Sequence, residues 1–100
     1  MYAEGAQLEA LLAASAVTLA GELRAAKARL AIGNDEIAAR SGLSESTIKR
    51  FSNGAREPRV PDLIKLATAL NADPGELLDV ALAKARENVA RAESESDRRA

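Results

Sequence analysis

The sequence predicts a small all-α protein of five helices, and three observations carry that prediction. A chain of 100 residues suits a single domain. Apolar residues make up 47% of it, but with one Phe, one Tyr and no Trp the core must be built from Leu, Ile, Val and Ala. Ala, Glu, Lys and Arg lose little rotamer freedom in a helix, and Gly, Asn, Ser, Asp and Pro recur where helices would start and stop. No strand is expected.

Leu8, Leu11 and Leu12 at helical spacing predict a first helix over about 6–15. Leu19, Leu23, Ala26 and Leu30 continue the stripe. Thr18 is a candidate cap for a separate helix to about Ile32, so the pattern allows one helix or two. Gly33 reads as a stop and Asn34 as the cap of a short helix over 35–41, with Asp35 and Glu36 in its first turn. Gly42 ends that helix, Ser44 caps the next to about Ser52, and Asn53-Gly54 is a turn pair. Pro61 suits the first turn of a fourth helix, with Leu63, Leu66, Ala67 and Leu70 inward. Asp73, Pro74 and Glu76 signal the start of a fifth. Leu77, Leu78, Ala81, Leu82, Ala85 and Val89 mark its inner face to about Ala92, before a frayed charged tail. The division expected is an N-terminal helical extension over 1–17, a main domain over 18–78, and a C-terminal helix extension over 79–100.

Composition excludes several kinds of chemistry. Without Cys or His there are no disulfides, thiolate or imidazole metal sites, or His-based proton shuttles, and no metal or cofactor is expected. There is no Gly-rich phosphate loop and no clustered acids, so an enzyme is not expected. The apolar run over 10–20 is too short to span a bilayer, and Glu4 and Glu9 flank it where a signal peptide would carry bases. The absence of Cys fits a reducing, cytoplasmic setting. The net charge of -1 conceals an uneven distribution. Residues 1–18 and 61–100 each carry an excess of two acids, whereas residues 19–60 carry eight bases against five acids. A basic middle is the footprint a phosphate-binding surface needs.

The informative segment is 34–53. It holds two short helices joined through Ser41-Gly42-Leu43-Ser44, with Ile37 and Ala38 inward on the first and Ile48 and Phe51 inward on the second. A turn this tight needs a small residue at Ala38 and a glycine's conformational freedom at Gly42. The outward positions of the second helix are then Glu45, Ser46, Lys49 and Arg50. Such a face mixes charge with hydrogen-bonding groups, as reading base edges in a major groove requires.

This segment resembles the Cro/repressor class of helix-turn-helix proteins, the xenobiotic-response-element family. The resemblance runs from Asn34-Asp35-Glu36-Ile37-Ala38 through Gly42 to Ile48-Lys49-Arg50-Phe51, then Asn53-Gly54, Arg56-Glu57-Pro58, Leu66 to Asn71, and Pro74-Gly75-Glu76-Leu77-Leu78. It covers roughly 19–78. It implies a five-helix, lambda-repressor-like domain with an extra N-terminal helical segment and an extended C-terminal helix. It also implies a double-stranded DNA operator as partner, bound as a two-fold homodimer with half-sites ~34 Å apart. By position, Glu45, Ser46, Lys49 and Arg50 would face bases. Asn34, Ser44, Thr47, Asn53, Arg56 and Arg59 would hold the backbone. Glu45 departs from the Gln or Arg common near this helix start.

Plainer readings stand beside these. Arg50 could be an ordinary solvated helix residue, and Glu45 could accept from cytosine N4, orient Arg50, or stay in solvent. Lys49 suits phosphate as well as base, and Arg56 and Arg59 are loop charges that could simply be solvated. Asn34 is a cap in either case, and Glu36 with Arg40 is an i,i+4 surface pair. The leading expectation is a phage or bacterial transcriptional repressor. The alternatives are an antitoxin with a protein partner on 1–17 or 79–100, or an interaction module that has lost DNA binding.

Overall fold

The computed structural model describes residues 2–99 and contains five helices: α1 (Tyr2–Leu30), α2 (Asn34–Ser41), α3 (Glu45–Ser52), α4 (Val60–Ala69) and α5 (Pro74–Arg99). No strand occurs among the described residues. The 100-residue chain has a radius of gyration of 15.1 Å and extents of 49 × 25 × 22 Å, against about 13 Å expected for a compact domain of this length. The excess length comes from α1 and α5, which lie side by side and antiparallel and outrun the rest of the chain.

Of the two possibilities the pattern allowed, α1 is one continuous helix, and Thr18, the candidate cap, is an interior residue. Gly21 is tolerated because its neighbours are strong helix formers, and the Thr18 hydroxyl is used sideways, donating to the Ala81 carbonyl of α5 at 2.7 Å. The stop also lies earlier than Gly33. Ala31 takes the left-handed conformation (φ 54°), while Gly33 is extended (φ -92°, ψ 173°) and precedes α2 directly. Asn34 is thus the first residue of α2 and not its cap; its Oδ1 accepts from Lys27 Nζ at 3.1 Å.

The stretch Gly5–Leu30 is long and apolar enough to cross a bilayer, although the 10–20 run alone was expected to be too short. Its C-terminal half is nevertheless committed to the fold, because Leu23 and Ala26 are buried in the core with Leu19 packed against them. The remaining signals fall where expected. Gly42 ends α2 in the left-handed region (φ 78°), its N–H donating to the Ala38 carbonyl at 2.9 Å. The Ser44 hydroxyl accepts from the Thr47 N–H at 3.2 Å and caps α3. Asp73 Oδ1 accepts from the Gly75 N–H at 3.1 Å at the start of α5.

α5 runs seven residues past the expected limit of Ala92. In that last stretch acids at 93, 95 and 97 precede Arg98 and Arg99, the order that favours the helix dipole and an i,i+4 pair. One core gathers Leu23, Ala26, Ile37, Ile48, Phe51, Leu66, Ala67, Ala69, Leu70 and Leu77 from all five helices. Among the described residues, every buried side-chain polar atom has a hydrogen-bond partner.

Candidate nucleic-acid interface

α3 is eight residues long, too short to persist alone, so its position depends on packing. Ile48 and Phe51 anchor it, each 1% exposed. Their spacing turns the opposite face outward, and Glu45, Ser46, Lys49 and Arg50 are all exposed there. α2 crosses behind through Ile37, with Ala38 and Leu43 packed against the same core.

Both ends of α3 are fixed. At its start the Ser44 hydroxyl also donates to Thr47 Oγ1 at 2.8 Å, so these two residues satisfy each other. Ser44 is exposed and Thr47 half-buried at the edge of the outward face. At its end Asn53 Oδ1 accepts from the Ala55 N–H at 2.9 Å. The N–H groups of Ala55 and Arg56 return to the Arg50 carbonyl at 3.0 and 3.3 Å. The Arg56 guanidinium then lies over the Phe51 ring, 5.6 Å from its centroid, a cation–π arrangement that keeps an exposed charge beside the helix end. Arg59, also exposed, precedes α4, where its N–H donates to Asp62 Oδ2 at 3.1 Å.

The expected site residues therefore fall into three groups. Glu45, Ser46, Lys49 and Arg50 share the outward face of α3. Ser44, Thr47, Asn53, Arg56 and Arg59 surround its two ends. Asn34 starts the preceding helix, half-buried and bonded to Lys27. Over 45–59 four bases (Lys49, Arg50, Arg56, Arg59) stand against Glu45 and Glu57. Sequence reasoning missed Arg24 of α1. Its Nη1 donates to the Ser52 carbonyl at 2.5 Å, occupying one of the free carbonyls at the C-terminus of α3. Twenty-eight residues separate the two, so no local pattern could have revealed the pair. Arg40 does more than the expected pair with Glu36 (2.6 Å), because it also donates to the Ala69 carbonyl at 3.2 Å and ties α2 to the end of α4.

A pair of short helices joined through a left-handed glycine, the second presenting a polar, base-rich face, defines a helix-turn-helix DNA-binding protein. The helix-turn-helix domain family matches residues 18–81, and this chain belongs to that family, in its Cro/repressor-like class. No curated relative and no solved structure matches the chain. The protein is accordingly a DNA-binding regulator.

Proposed function

We propose that this protein is a bacterial or phage transcriptional repressor that acts in the cytoplasm by occupying an operator. α3 enters the major groove, where Lys49 and Arg50 donate to purine edges and Glu45 and Ser46 read or orient beside them. Asn34, Ser44, Thr47, Asn53, Arg56 and Arg59 hold the flanking phosphates. The observation that carries this reading is the division of α3, with Ile48 and Phe51 sealed in the core and four polar side chains presented together on the other side. That arrangement fixes the reading groups on a rigid element, which discrimination of base edges requires.

The test is selection from a randomised duplex library with the full chain. The expected result is an enriched, partly palindromic site in which one strongly preferred position loses its preference in Arg50→Ala. A library that never departs from random composition would overturn sequence-specific reading.

A further inference from the structure

Beyond the core, the N-terminal half of α1 pairs with the C-terminal half of α5 as a two-helix stalk. The other half of α1 is built into the domain and meets the far end of α3. An α-helix leaves its last four carbonyls without intrahelical partners, and on α3 these belong to Lys49, Arg50, Phe51 and Ser52. The turn that follows takes three of them. The Asn53 N–H donates to Lys49 at 3.0 Å, the Gly54 N–H to Phe51 at 3.4 Å, and the N–H groups of Ala55 and Arg56 to Arg50. The fourth, on Ser52, accepts from Arg24 alone among the described residues.

Arg24 is well placed to hold that end. A guanidinium at a helix C-terminus is favoured by the macrodipole as well as by the hydrogen bond it donates. One turn earlier on α1 is Ala20, 4% exposed. A methyl group added at Gly54 would lie 4.0 Å from the Ala20 Cβ, so the turn after α3 rests on α1 there. The end of α3 is thus gripped by α1 at two points, one apolar and one charged. Its start is held separately, by Ser44 and Thr47. Glu45 and Ser46 stand in the first turn of α3, Lys49 and Arg50 in the last. Releasing the far end would therefore displace Lys49 and Arg50 and leave Glu45 and Ser46 where they are.

We infer, on the reading of α3 proposed above, that Arg24 is a positioning residue for DNA recognition. It touches no base. It acts through the Ser52 carbonyl to fix where Lys49 and Arg50 meet the groove. Reading groups must be held to within about 0.5 Å, and a helix of eight residues cannot hold itself. Arg24 is also exposed, so a direct contact to phosphate is the rival use of its charge.

The test compares full-length Arg24→Met, which keeps an unbranched stem without donor or charge, with Arg24→Lys, which keeps both. The probes are the site enriched from the randomised library and a scrambled duplex. Arg24→Met should bind the enriched site about 10-fold more weakly, the scrambled duplex within about 2-fold of the parent, and with the parent's salt slope. Selection repeated with Arg24→Met should blur the positions that Lys49→Ala and Arg50→Ala blur, and keep those that depend on Glu45 and Ser46. Arg24→Lys should recover most of the affinity. On the free protein, hydrogen exchange over 53–56 should be about 10-fold faster in Arg24→Met, with the Ile48 amide unchanged. An equal loss on both duplexes, with a salt slope shallower by about 0.9, would identify a phosphate contact and overturn the proposal. Unchanged exchange over 53–56, or no recovery in Arg24→Lys, would overturn it too. If the parent enriches no site, base reading by α3 falls and this proposal with it. If the parent enriches a site and Arg24→Met reads it equally well, this proposal falls alone.

Discussion

The two ends of this molecule are built from the same helices and differ in what covers them. Around Phe51, α1 and α5 meet α2, α3 and α4, and large apolar side chains from all five helices close on one another. In the stalk the same two helices face each other across shallow grooves lined by Ala10, Ala14, Val89 and Ala92, and Leu8 and Leu12 are more than half exposed. A helix pair lacks the second layer that a hydrophobic core needs. Stability therefore resides at one end, and unused apolar surface at the other.

Substitutions can break or sharpen this contrast. The largest effect is expected from Phe51→Ala, which should cost about 3–5 kcal/mol in urea unfolding. Leu12→Ala, measured on dilute protein, should stay within about 0.5 kcal/mol, because little is packed on that side chain. Next is Gly42→Ala. An added methyl group would meet nothing within 4 Å, but φ is 78°, so the cost of about 1–2 kcal/mol is conformational alone. Thr18→Val, at the junction of the two regions, removes the hydroxyl bonded to Ala81 and should cost about 1 kcal/mol. Hydrogen exchange should show that loss first in the stalk amides, which open at lower free energy than the core. The smallest effect is a gain: Ala31→Gly relieves a left-handed alanine (φ 54°) and should stabilise by about 0.5 kcal/mol in thermal unfolding.

The same contrast explains what was legible in the sequence. Signals that act within a turn could be read: Gly42 as the left-handed stop, Ser44 and Asp73 at helix starts, and Ile37, Ile48 and Phe51 as inward residues. All of these depend on neighbours a few positions away. Features set by distant partners could not be read. Thr18 reads as a cap until α5 supplies an acceptor sixty-three residues on. The Lys84–Glu22 ion pair and the Arg24–Ser52 bond likewise join residues with no local relation. Ala31 rather than Gly33 takes the left-handed turn because Gly33 is needed in extended form at the entry to α2. The outward face of α3 was legible because its inward face was.

The central claim is that the outward face of α3 reads DNA while its inward face only holds the fold. The most direct test is fluorescence anisotropy with DNA from upstream of the protein's own gene and a scrambled duplex, each at two salt concentrations, using wild type and Arg50→Ala. The account predicts preference for the upstream DNA and weakening as salt rises. It also predicts a loss of about tenfold or more in Arg50→Ala, with unfolding free energy unchanged within about 0.5 kcal/mol. Equal binding of both duplexes by wild type, or an Arg50→Ala protein that binds as tightly as the parent, would contradict it.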